Sequence, residues 1–506
     1  MSNLDSLKYF LPEIVLVGGM LFIILFDLIV GRRKFIPYLM LFVLAVAFFI
    51  SANMLAAGID VTLFSAGGGS ASGGEGLIRL NGFTIFFKLL FTLVTFLTVL
   101  FSISRQKEHQ GVEYYALLLI STLGLFLLAS ANDLLMIYLG LEVVSICSYL
   151  LVASLKGVLK SSEAGLKYVI YGAVASGIMI YGMAFLYGLF GTTSLVELTN
   201  AVILTPKVGG GVFTLSAALF MVFVGFGYKI AVVPVHMWCP DVYEGAPTEI
   251  TAFLSVAPKA AGFAIIIRFF FNLIPAIPEL RIPNSVEFQG YWQMIIAIIS
   301  VLTMTIGNLA ALHQTNLKRM LAYSSIAHAG YILMGLVILT TSGMQAMVLY
   351  LPIYLFMNMG AFFVVYIIER QTGKVDISEY EGLGWRMPLL GVMMAIFLFS
   401  LVGLPPLAGF IGKLYLFAAV ISAKWYILAV LGVLNGVVSL YYYARIIRAM
   451  WLNVPSISSV IPPEQAGIQP IGLFNTILLF IFVIPVLVLG VWWTPLIQVI
   501  NKALGI

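Results

Sequence analysis

One apolar run follows another along this chain, each about long enough to cross a bilayer. The first is typical: "VLVGGMLFIILFDLIV" at 15–30 carries a single charge, Asp27. A membrane-crossing helix needs about 20 predominantly apolar residues. On that ruler spans fall near 9–30, 35–57, 82–103, 114–131, 133–155, 164–190 and 213–235. Others follow near 248–271, 291–312, 320–339, 343–369, 388–422, 425–451 and 472–494, about 14 in all. The chain is 62% hydrophobic and 9% charged, whereas a soluble domain carries roughly 25% charged residues. The expectation is therefore an all-α membrane protein in one polytopic body, not a string of soluble domains.

Several function classes drop out at once. Residues 9–30 lack a small-residue cleavage site before Arg32 and Arg33, so they read as a retained helix, not a signal peptide. The two cysteines, Cys147 and Cys239, form no CxxC and imply neither a disulfide framework nor an iron–sulfur site. The net charge of +5 suits basic cytoplasmic loops, and no nucleic-acid module is present. The loop "SAGGGSASGGEG" (65–76) has no GK[ST] and reads as a flexible linker, not a phosphate cradle. The charged stretch 369–388 reads as a solvated surface, with a docking face for a soluble partner as the alternative.

An even number of spans puts both termini on one side. Fourteen of the lysines and arginines fall on the opposite side and seven on the terminal side, leaving five inside or near spans of the 26 in all. Basic loops stay cytoplasmic, so both termini are expected in the periplasm of a cell inner membrane.

Charges inside spans are the costly features, at about 2.5–3.5 kcal/mol each at a helix centre on insertion scales. Glu142 lies mid-span in "MIYLGLEVVSICSYLL", and Lys259 follows Pro258 in the middle of its span. Lys229 precedes Pro234 by about one and a half turns, and Lys413 follows "GLPPLAGFIG". Glu142, Lys229 and Lys259 are too deep to reach water cheaply, whereas the broken helix leaves the depth of Lys413 open; all four are functional candidates. Lys88 and Lys167 lie nearer span ends; Lys88 is expected to snorkel, while for Lys167 snorkelling and function stand level.

Proline frees backbone groups that lipid cannot satisfy, so a broken helix must line an enclosed or watery cavity. Lys229 sits beside one expected break and Lys413 beside another, in the fourth members of two successive five-helix sets. An odd-numbered unit repeats upside down, and interrupted spans in corresponding halves mark a transport site. Of the histidines, His328 in "SSIAHAGYILMG" is a candidate proton relay, since imidazole titrates near neutrality. His236 lies two residues past Pro234, and no histidine pair has metal-ligand spacing.

At this point "VHMWCPDVYEGAPTEITAFLSVAPKAAGF" (235–263), "NLKRMLAYSSIAHAGYILMG" (316–335) and "SLVGLPPLAGFIGK" (400–413) resemble the antiporter-like membrane subunits of respiratory complex I. That family includes subunits of multisubunit sodium/proton antiporters and membrane-bound hydrogenases. The resemblance covers about residues 80 to 455. It implies 14 helices with two inverted five-helix repeats, broken helices 7 and 12, and a half-channel in each repeat. The corresponding division is 1–110 (three helices), 111–275 and 276–455 (the repeats), and 456–506 (a C-terminal helix). By motif, Glu142, Lys229, Lys259 and Lys413 take the family's glutamate and three lysine positions, and Lys167 and His236 match further polar ones.

The function so implied is proton translocation driven by partner subunits. NADH, FMN, iron–sulfur clusters and quinone are expected on those partners, and no cofactor in this chain. Expected partners are a second antiporter-like subunit and the small helical subunits linking to the quinone site, with lipid and protons as the remaining contacts. An opposite charge within about 4–6 Å favours a buried ammonium, and its withdrawal favours proton release. Glu142 and Lys229 would form such a switch, Lys259 a relay, and Lys413 the exit to the periplasmic half-channel. The competing readings are a sodium/proton antiporter or hydrogenase subunit and, from another class, a passive scaffold, in which the buried lysines would be replaceable.

Overall fold

The computed structural model describes residues 3–64, 76–104, 111–204, 211–276, 285–373, 375–452 and 471–506. The glycine-rich loop at 65–75 lies outside these residues, as do Arg105, Lys107, Lys207, Arg281 and Lys374 of the charge comparison. Among the described residues 13 helices are long and apolar enough to span a membrane.

The helices are α1 (Asn3–Tyr9), α2 (Leu11–Val30), α3 (Ile36–Ala57), α4 (Gly82–Ile103), α5 (Val112–Ser130), α6 (Leu134–Val152) and α7 (Leu159–Phe190). Next come α8 (Leu195–Leu204), α9 (Gly211–Ile230), α10 (Trp238–Gly245), α11 (Thr248–Ala276), α12 (Ser285–Leu312) and α13 (Leu317–Val337). The series ends with α14 (Thr341–Thr372), α15 (Leu383–Arg386), α16 (Pro388–Val402), α17 (Ala408–Ser422), α18 (Tyr426–Trp451), α19 (Leu473–Val491) and α20 (Thr494–Leu504). A short antiparallel pair, β1 (Val61–Leu63) and β2 (Ile78–Leu80), stands between α3 and α4.

The chain divides into two compact units: Met1–Ala231 with Ala257–Ile296 and Val499–Ile506, and Val232–Val256 with Ala297–Gln498. In the first, α7 and α9 approach through small residues, as they must where lipid supplies no hydrophobic drive between helices. A Cβ on Gly182 of α7 would fall 2.7 Å from Met221 Cβ and 2.8 Å from the Ala218 carbonyl of α9. Phe226 and Phe269 pack edge-on to join α9 to α11. Thr95 on α4 and Thr122 on α5 share a hydrogen bond of 2.8 Å, worth about 0.6 kcal/mol in comparable membrane helices.

Two charges of this unit differ from the sequence expectation. Lys88 does not snorkel: its ammonium lies 2.5 Å from Glu13 Oε1, with side chains 1% and 0% exposed. The partner on α2 makes burial tolerable, and the Phe126 ring, 5.6 Å from Nζ, adds a cation–π contact. Arg268, counted above with the loops of the terminal side, lies within α11 and is buried. Its guanidinium donates to Thr84 Oγ1 at 2.6 Å and to the Ser130 and Ala131 carbonyls at 3.4 Å each. It thereby caps carbonyls at the end of α5 that have no donor within their own helix.

In the second unit α13 buries nearly every residue and α14 most of its length. The described residues of the stretch 369–388 fold onto the unit. Leu317 N donates to the Val375 carbonyl, Tyr380 and Leu383 are buried, and Trp385 Nε1 donates to the Trp451 carbonyl. Burial, with Glu369 and Glu379 nearby, pushes the Tyr380 phenol above its ordinary value, so it stays protonated. Only part of this stretch is thus a solvated face.

Candidate functional site

The helix carrying Lys229 stops at Ile230, five residues short of the expected end. Ala231 turns to φ +60° and Pro234 follows, so helical geometry cannot continue. The chain resumes helix at α10, and Val233 N donates to Thr303 Oγ1 at 3.1 Å. Lys229 is therefore in the last turn of α9, where unpaired carbonyls and the helix dipole favour a cation.

Its partner comes from α6. Lys229 Nζ donates to Ser145 Oγ at 3.1 Å, and Ser145 Oγ donates back to the Leu141 carbonyl at 2.7 Å. Glu142 stands three residues before Ser145, on the same helix face. Its Oε1 is buried, and among the described residues it has no hydrogen-bond partner and no direct ion pair with Lys229. The carboxylate is still near enough to act on the ammonium electrostatically. Glu142 and Lys229 are thus neighbours with a hydroxyl bound to the lysine one turn from the acid.

Lys259 is buried on α11. A Cβ on Gly262, one turn further on, would fall 2.5 Å from Ile230 Cγ2 and 3.6 Å from Lys229 Cβ. That close approach seats α11, the helix that carries Lys259, against the end of α9. Lys167 is placed differently: it is 39% exposed on α7 and pairs with Glu163 at 2.7 Å.

The second unit holds the other candidates. Between α16 and α17 the chain leaves helical geometry from Gly403 to Leu407. Gly403 adopts φ +90° and caps α16, a conformation that suits glycine alone among common residues. Lys413 Nζ then donates to the Leu401 and Val402 carbonyls at 3.1 and 2.7 Å. A Cβ on Gly403 would lie 2.9 Å from the lysine's Cδ, so this glycine also makes room for the side chain. Lys413, like Lys229, sits on the carbonyl end of a helix, and its ammonium is 4.6 Å from the centre of the Tyr331 ring.

His328 is buried on α13, with Nδ1 2.7 Å from the Tyr350 hydroxyl and Nε2 3.4 Å from that of Tyr443. His236 is buried in the turn before α10, and its Nδ1 has no hydrogen-bond partner among the described residues. Sequence reasoning passed over Ser145, Tyr350 and Tyr443. Ser145 could have been found from its spacing to Glu142; the tyrosines carry no such signal.

These features define a polytopic membrane protein with ionisable side chains held at helix ends within its helical units. The family described as NADH:quinone oxidoreductase/Mrp antiporter, TM, matches residues 131–439, and the chain belongs to it. It is 45% identical to NADH-quinone oxidoreductase subunit N of Anaeromyxobacter sp. (strain Fw109-5), over 98% of this chain and 96% of that relative. Subunit N 2 of Sorangium cellulosum (strain So ce56) is 40% identical over 100% of this chain and 98% of its own length. Among solved structures, a chain of respiratory complex I from Thermus thermophilus superposes with a TM-score of 0.71 at 30% identity. That match covers 94% of this chain and 98% of the other.

Proposed function

We propose that this chain is a proton-translocating membrane subunit of an NADH:quinone oxidoreductase, coupled to NADH oxidation and quinone reduction in partner subunits. The observation that carries the reading is Lys229, buried at the end of α9, bound to Ser145 and under the influence of Glu142. An ammonium in that setting can be held or released according to where its counter-charge stands. Relatives named as subunit N over nearly the whole length favour this assembly over a sodium/proton antiporter or a hydrogenase.

In this reading Glu142 and Lys229 are the switch and Lys259 receives the proton. Lys413, with His328, handles protons in the second unit, while Lys167 and His236 serve at the approaches. Residues 111–275 and 276–455 act as two inverted five-helix repeats, each with a half-channel, beside an N-terminal segment 1–110 and a C-terminal helix in 456–506. The partners are other subunits of the complex, among them a second antiporter-like subunit and the small helical subunits towards the quinone site. NADH, FMN, iron–sulfur clusters and quinone belong to those partners, and no redox group to this chain. The protein lies in the cell inner membrane with both termini in the periplasm.

The test is Lys229→Ala in the intact complex in sealed vesicles. Loss of NADH-driven proton uptake, with the complex still assembled, is the expected result. Undiminished uptake would refute the reading and leave the scaffold alternative standing. Glu142→Ala and Lys259→Ala are expected to behave alike.

A further inference from the structure

The polar side chains around His328 come from three helices. Tyr350 is on α14 and Tyr443 on α18, both wholly buried and bonded to opposite nitrogens of the imidazole. The Tyr443 hydroxyl also pairs with Ser324 Oγ, one turn before His328 on α13. The Tyr350 ring also packs against α17, the helix that carries Lys413. A Cβ on Gly412, the residue before that lysine, would fall 2.7 Å from Tyr350 Cδ2. Tyr331, one turn after His328, has its ring beneath the ammonium of Lys413.

We propose that Tyr350 is a proton-carrying residue of the second unit, the link between His328 and the surroundings of Lys413, with Tyr443 on the other side of the imidazole. The inference rests on the reading that this unit carries protons. A neutral imidazole has one donor and one acceptor nitrogen, and a phenol donates and accepts at a single oxygen. A proton arriving at the Tyr443 oxygen releases that residue's own proton to Nε2. The Nδ1 proton moves to the Tyr350 oxygen, and the proton Tyr350 held before passes to the Lys413 amine once that amine has released its own proton. Each oxygen ends with one proton, the imidazole ends as the other tautomer, and no phenolate is left behind.

The test compares substitutions at Tyr350 in the intact complex, reconstituted in vesicles and matched for assembled protein. Tyr350→Phe keeps the ring and removes the hydroxyl. It is expected to lose as much NADH-driven proton translocation as Lys413→Ala does. Tyr350→Gln, which hydrogen-bonds but carries protons poorly, is expected to fail too, and Tyr350→His to recover part of the rate. Full translocation by Tyr350→Phe or by Tyr350→Gln overturns the relay and reduces Tyr350 to packing or positioning. Should the phenylalanine variant not assemble, the glutamine and histidine variants decide. Full translocation by Lys413→Ala would overturn the reading beneath the inference, whatever Tyr350 does.

Discussion

Lys88→Met is expected to destabilise the first unit by about 3–5 kcal/mol, the usual cost of stripping one partner from a buried ion pair. Glu13 is wholly buried, and its Oε1 lies 2.5 Å from the ammonium that would be removed. The carboxylate would then be charged without a partner or forced to take up a proton. Methionine keeps an unbranched apolar side chain at this position, so the loss reports the charge, with its contact to Phe126, more than the packing. The companion variant Glu13→Gln/Lys88→Met removes both charges and is expected to recover most of the loss, because buried pairs are often replaceable by neutral groups. Thermal unfolding of the detergent-solubilised complex, followed by subunit retention, measures both. A single variant as stable as the parent would show that something other than Lys88 satisfies Glu13.

Lys413 offers the other large effect, and its surroundings separate stability from transport. Lys413→Ala leaves the Leu401 and Val402 carbonyls without the donor they now share, and a buried acceptor left bare costs about 1–3 kcal/mol. Under the proposed function it also removes the proton-exchanging group, so NADH-driven proton uptake is expected to fall with stability. Lys413→Arg restores donors but cannot release a proton at any physiological pH. The expectation is therefore a variant that recovers thermal stability and not translocation. Normal translocation by the arginine variant would mean that proton release at this position is not part of the cycle.

The apolar runs made the membrane spans legible, because bilayer thickness dictates their length and little else competes. Where a helix stops was less legible. The end of α9 depends on the backbone turning to positive φ at Ala231, which alanine does not advertise. The depth of Glu142, Lys229 and Lys259 could be read from their place in the runs, that of Lys413 could not because its helix is broken, and the structure buries all three lysines. What surrounds them could not. The partner of Lys88 lies on another helix, and nothing in the local sequence points to Glu13. Ser145 had only its spacing to Glu142 to mark it, because a serine inside a helix commonly bonds back to its own backbone, as this one does to Leu141. Tyr350 and Tyr443 look like ordinary bulky residues until folding aims their hydroxyls at one imidazole.

The ammonium of Lys413 rests on two peptide carbonyls and an aromatic face. Those groups offer fractional charge that is fixed in the backbone and cannot itself be protonated. If, as proposed, Lys413 gives up its proton, no anion is stranded opposite it, whereas emptying Lys229 would leave Glu142 without its counter-charge. On that proposal one lysine is a single body cradled by dipoles, the other half of a two-body device. A driving event that only displaces carboxylates would be felt at Lys229 and pass Lys413 by.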